Sequence, residues 1–166
     1  MVAVTGPEYV SIKLTPGFPV HDIDEDDIPE KYGYLIDELN QRKGLAFLHL
    51  YFYDLATSDI FRSLRQRYQG KVLAEGSLKA VQYAEMVRSG DADFTGFARA
   101  YISNPDLAER LRLGLPISQP DMNTTYSLGA EGYTDYPVWN PADPAGSVLG
   151  PKEHDDADAL LLQLNI

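Results

Sequence analysis

Apolar, β-branched and aromatic runs that alternate with helix-period stretches constrain this chain more than any other feature. The clearest run is Leu45-Ala-Phe-Leu-His-Leu-Tyr-Phe-Tyr53, near-continuously apolar, as expected of a strand buried on both faces. Val10-Ser-Ile-Lys-Leu14 precedes it and is stopped by Pro16-Gly17; Lys71-Val-Leu-Ala74 and Phe94-Thr-Gly-Phe97 follow it. Between these strands the spacing predicts three helices. Glu30–Gln41 carries Tyr34, Leu35 and Leu39 at helical intervals, and Ile60–Tyr68 carries Phe61, Leu64 and Tyr68 on one face. Leu78–Arg88 turns Ala80, Tyr83, Ala84 and Val87 inward and ends at Gly90. A last helix, Leu107–Leu113, starts after Asn104-Pro-Asp and stops at Gly114. The order βαβαβαβα demands parallel strands joined by right-handed crossovers. The fold class is therefore α/β, either a doubly wound sheet or part of a barrel, and about four βα units make half a (β/α)₈ barrel. From Gly114 onward the chain is rich in Pro, Gly, Asn and Asp and reads as irregular, with a short amphipathic helix over Asp155–Ile166 through Leu160, Leu161 and Leu164.

Composition excludes several function classes. A formal net charge of -11 argues against nucleic acid as a general partner, because phosphate backbones attract basic faces. With no cysteine there is no disulfide, thiolate metal site or cysteine nucleophile. Apolar runs fall short of the roughly 18 residues of a membrane span. Met1-Val-Ala-Val-Thr-Gly-Pro lacks the basic and apolar regions of a signal peptide, so a cytoplasmic protein with no membrane partner is expected. The run Asp22-Ile-Asp-Glu-Asp-Asp27 has Asp27 where a calcium loop needs glycine and Gly33 where it needs glutamate, and reads as a solvated acidic loop. No motif for a zinc hydrolase, serine hydrolase or Rossmann site occurs, and no metal is expected.

Two strand ends carry the candidate chemistry. Phe94–Phe97 runs into a turn of small residues with Arg99 where the next helix begins. Such a turn exposes backbone N–H groups beside a permanent planar cation, which suits a phosphate. The preceding strand ends in Glu75-Gly76-Ser77, where Gly76 permits close backbone approach. The plainer alternative makes Gly76 a turn glycine and Arg99 a solvated arginine. Lys13, a cation within Val10–Leu14, either snorkels from an edge strand or points into a site at the C-terminal rim of the sheet. His49 reads as a satisfied core or rim histidine, and His21 and His154 lie in acidic loops.

With these residues in place, the chain resembles the C-terminal half of the old yellow enzyme family over roughly residues 8–137. Ser11-Ile-Lys-Leu-Thr-Pro16 is similar to the family's Arg-Leu-Ser-Pro strand, which puts Lys13 at the position of the arginine that contacts the flavin ring. Leu73-Ala-Glu-Gly76 resembles the Ala-Gly-Gly turn that binds the FMN phosphate, and Phe97-Ala-Arg99 resembles Phe-Gly-Arg, with Arg99 as the phosphate arginine. Asn104-Pro-Asp-Leu107, Arg110-Leu-Arg-Leu-Gly-Leu-Pro116 and Gly129-Ala-Glu-Gly-Tyr-Thr-Asp-Tyr-Pro137 are similar too, and Tyr126 fits a tyrosine near the flavin. The departures are Lys13 for arginine, Ala98 for glycine, Thr125 for phenylalanine, and Glu75 within the phosphate turn. Ala98 resists the positive φ that glycine allows, and Glu75 disfavours a phosphate unless its side chain turns away.

The resemblance implies the second half of a TIM (β/α)₈ barrel over residues 1–137, the FMN-binding half, with an irregular tail over 138–166. It implies an FMN-dependent oxidoreductase in which NAD(P)H reduces FMN and hydride passes to an activated alkene, a small-molecule acceptor. Lys13, Gly76, Ala98, Arg99 and Tyr126 are the cofactor-binding residues it implies. Lys13 lies on the side of the ring where a cation stabilises the reduced flavin. The substrate-anchoring pair and the proton-donating tyrosine belong to the family's first half, so no catalytic residue is assigned. A lone half barrel would expose two strand edges and an apolar inner face. The expected partner is a missing N-terminal half barrel or a second copy of the chain. The alternative expectation is a truncated, non-catalytic relative or gene fragment that at most binds FMN or another phosphate ligand.

Overall fold

The computed structural model describes residues 2–18, 25–42, 44–55, 58–126 and 128–149, and contacts divide the chain into two compact units, Met1–Gly96 and Phe97–Ile166. In the first unit, α1 (Val2–Thr5) and a 3₁₀ turn (Pro7–Tyr9) lead into β1 (Ser11–Leu14). There follow α2 (Ile28–Arg42), β2 (Phe47–Phe52), α3 (Asp59–Arg67), β3 (Val72–Gly76), α4 (Ala80–Ser89) and β4 (Phe94–Gly96). All neighbouring strands pair in parallel, in the order β1-β2-β3-β4. Sequential order with right-handed crossovers sends every helix to the same face of the sheet. That face holds the core: Leu48, Leu50, Val72 and Ala74 of the sheet are buried together with Ile36, Phe61, Leu64 and Tyr83 of the helices. The unit is a parallel α/β fold with half the strand count of a (β/α)₈ barrel.

Three sequence expectations change. β2 is not buried on both faces; Leu48, Leu50 and Phe52 are buried, while Phe47, His49 and Tyr51 between them are only half-buried, because the helices cover one side. In α2 the packed face is Gly33, Ile36 and Leu39, and Tyr34 is exposed. The cause is α3: a side chain at position 33 would run into the Arg67 guanidinium, which is held there by a two-pronged bond to Asp37 with Nε to Oδ1 at 2.7 Å. Asn40 locks the same register by donating to the Arg67 carbonyl and accepting from the Gln69 N–H, both at 2.9 Å. In α4 Tyr83 is buried as expected, but Val87 is exposed. The chain folds back through a bond from the Ala92 N–H to the Met86 carbonyl, and Ala92 is buried there.

The second unit begins with α5 (Arg99–Ser103) and α6 (Leu107–Leu113), and α6 is capped by Gly114 in the left-handed region, φ 64°. Its described residues beyond Gly114 are turns and irregular chain, as composition implies, and the expected helix at 155–166 lies outside the described residues. Irregular backbone leaves carbonyls without ladder partners, and here one side chain collects them. Arg110, fully buried, donates from Nη1 to the carbonyls of Pro116 and Ser147 (both 3.0 Å) and from Nη2 to that of Pro137 (2.8 Å). Its Nε bonds Asp106 at 2.7 Å, whose other oxygen accepts the Trp139 N–H at 2.7 Å. Burial works against the Asp106 carboxylate, but Trp139 and Arg110 hold its pKa below the ordinary value.

Removing the guanidinium strands Asp106 and three carbonyls, a change of the kind that costs about 3–5 kcal/mol. Arg110→Met is expected to lower the urea midpoint accordingly. Arg110→Lys, which cannot span all four acceptors, is expected to recover only part. Fluorescence of Trp139, the one tryptophan of the chain, follows both.

Candidate functional site

Side chains alternate across a strand, and the register sorts the candidate residues onto two faces. Lys13 pairs with His49, and Tyr51 with Glu75, so all four belong to the face opposite the helices. Glu75 is the hub of this face. Its Oε2 lies 2.7 Å from Lys13 Nζ, which donates a hydrogen bond to it. The same oxygen lies 2.7 Å from His49 Nε2, an ion pair when the imidazole is protonated. Lys13 also sits 5.3 Å from the centre of the Tyr51 ring, which Phe18 meets edge-on at 5.1 Å. Burial raises the Glu75 carboxyl, but the bond and charge of Lys13, together with His49, outweigh it and hold the group below its ordinary value. Burial pushes the His49 imidazole down, the Lys13 charge adds to that, and Glu75 opposes both.

Gly76, one residue on, belongs to the helix-covered face. Its N–H donates to Tyr83 Oη at 2.8 Å, and that hydroxyl donates back to the Gly76 carbonyl at 2.7 Å. A Cβ here would run into the Phe52 carbonyl oxygen and approach Leu55 Cβ to 2.8 Å. The close approach that glycine permits is therefore that of the β2–α3 connection. Glu75 does turn away from its neighbouring turn, because alternation puts it on the Lys13 face.

The remaining candidates lie on the second unit. Ala98 precedes α5 with φ -86°, an ordinary right-handed value, so alanine in place of glycine brings no left-handed strain. Arg99 opens α5, and its guanidinium has no hydrogen-bond or ion-pair partner among the described residues. Tyr126 is 77% exposed. Sequence reasoning missed the link from Glu75 to Lys13 and His49, which needs the register across β2, and the link from Tyr83 to Gly76. Among the described residues no cluster of His, Cys, Asp and Glu could hold a metal ion, and no helix is long and apolar enough to cross a membrane.

The lowered His49 pKa has a definite sign in stability. Unfolded His49 takes up a proton near the ordinary value of about 6.5, and folded His49 only at lower pH. The unfolded state thus binds more protons in that window, and stability falls as pH drops below about 6.5. Glu75, held below its ordinary value, adds a further loss in the acid range. The urea midpoint is expected to fall between pH 7.5 and 5.5, and to fall less in His49→Gln.

No family model matches the chain. Individual proteins do. It is 30% identical over 146 residues to putative 12-oxophytodienoate reductase 5 of Oryza sativa subsp. japonica, covering 82% of this chain and 39% of that one. It is 31% identical over 144 residues to a probable flavin mononucleotide-dependent alkene reductase of Leishmania infantum, covering 82% and 38%. Among solved structures, morphinone reductase matches with TM-score 0.75 and 35% identity over 85% of this chain and 39% of that one. The old yellow enzyme from Trypanosoma cruzi matches with TM-score 0.76 and 25% identity over 84% and 37%. The chain spans about two fifths of the length of these relatives. Four parallel strands in sequential order, and these likenesses to reductases and to an old yellow enzyme, make the chain a partial relative of the old yellow enzymes.

Proposed function

We propose that this chain is the FMN-binding part of an NAD(P)H-dependent reductase acting on an activated alkene. The observation that carries the reading is the Arg99 guanidinium, partnerless among the described residues within the Phe97-Ala-Arg99 segment. An arginine left free in this way suits a doubly charged phosphate, which it can meet with two N–H groups at once. Lys13 fits the ring end: its hydrogen bond to Glu75 occupies one of three ammonium donors, and its side chain remains 47% exposed. In this reading FMN supplies hydride transfer; in its own unit the Ala98 turn with Arg99 suits a phosphate, and in its own unit Lys13 suits a charge beside a reduced ring. Gly76 contributes shape more than a donor, since its N–H is bonded to Tyr83. Tyr126, exposed, offers a ring for contact with the flavin. The face carrying Lys13 is completed by a further half barrel, from a longer protein, another chain or a second copy, and that part brings the acceptor site.

A second reading, a non-catalytic relative, is favoured by the Gly76 N–H, which its bond to Tyr83 commits within the chain. Flavin titration tests the FMN binding on which the first reading depends. The chain is expected to quench the fluorescence of FMN at one equivalent. Arg99→Gln is expected to weaken FMN about 10–100-fold, the value of one charged hydrogen-bonded contact, while leaving riboflavin unchanged. A chain that binds neither flavin supports the second reading.

A further inference from the structure

Three successive strands each place one chargeable group on the same face: Lys13 from β1, His49 from β2 and Glu75 from β3. Lys13 and Glu75 are not on neighbouring strands, yet they meet at 2.7 Å across β2, with His49 2.7 Å from the same oxygen. β4 adds only Phe94 and Gly96 here, and Lys71, just before β3, is spent over the Phe94 ring at 5.6 Å. Among the described residues of the strands Tyr51 is the other titratable group on this face, and Tyr83 of α4 lies within reach of the Glu75 charge from the other side. A carboxylate that serves two bases makes their charges interdependent.

We propose that Glu75 is a positioning residue: it holds the Lys13 ammonium in place and ties the charge of the face to proton uptake by His49. With His49 neutral, Lys13 and Glu75 cancel and the face has no net charge. With His49 protonated, Glu75 is shared between two cations and the face carries one positive charge. Protonation also makes the 2.7 Å His49–Glu75 contact an ion pair. Where Lys13 faces the flavin, this is the charge the ring meets, and that part rests on the reading above. Glu75 then controls how strongly the anionic, reduced ring is favoured.

The test is an NMR pH titration of the His49 ring in the whole chain without flavin. Glu75→Gln is expected to lower the His49 midpoint by about one pH unit, and Lys13→Gln to raise it. Glu75→Gln is also expected to speed reductive methylation of Lys13, read by mass spectrometry, several-fold. Lys13→Gln changes a half-exposed side chain and keeps the test open if Glu75→Gln fails to fold. A folded variant with the wild-type His49 midpoint overturns the coupling. In the flavin-loaded chain, Glu75→Gln is expected to raise the flavin midpoint potential, and an unchanged potential overturns the bearing of Glu75 on the flavin. A chain that takes up no flavin defeats the functional reading instead, while the titration still decides the role of Glu75.

Discussion

A parallel sheet is stable when both its faces are covered, and in the first unit the helices cover one. Much else in that unit follows from this asymmetry. The helix side takes the aliphatic residues Leu48, Leu50, Val72 and Ala74, packed to near-zero exposure. The other side takes aromatic residues, Phe47, Tyr51 and Phe94, interleaved with one cation, one imidazole and one carboxylate. A face so built is partly apolar yet internally neutralised, because burying an unpaired charge costs far more than burying a paired one.

The second unit solves a different problem with a different device. It has little regular structure after Gly114, so its carbonyls cannot rely on ladders. Arg110 gathers three of them and Asp106 orients the guanidinium, so two residues one helical turn apart fix segments as distant in sequence as Pro116, Pro137 and Ser147. Asn104 does similar work closer by, bonding Ser118 through both its N–H and its carbonyl. Two motif segments of the sequence, Asn104-Pro-Asp-Leu107 and Arg110–Pro116, thus have a structural purpose independent of any ligand.

The four strands and their parallel sense are legible in the sequence because hydrophobic period and turn residues are local signals, whereas the choice between a doubly wound sheet and a barrel order comes only with the family resemblance. What depends on register is not legible. Lys13, His49 and Glu75 lie in different segments, and nothing local says that one oxygen will meet both bases. The packed face of α2 is similarly hidden, since the rotation that exposes Tyr34 is set by Arg67, which lies 33 residues beyond it in the sequence. Ala98 shows the opposite case. Its departure from glycine looks strained in sequence, but its backbone never enters the left-handed region. The phosphate candidates divide between the two units, and only their individual surroundings bear on them.

The clasp between Tyr83 and Gly76 has a consequence for how such a protein matures. The hydroxyl both gives to and receives from the same residue, so the two backbone groups of Gly76 at the end of β3 meet their hydrogen-bonding needs within the chain. Where a loop depends on a ligand to satisfy its amides, the chain leaves the ribosome with that loop unfinished and must wait for the ligand. Here the two Gly76 groups need no ligand, and their bonds to Tyr83 can form during synthesis.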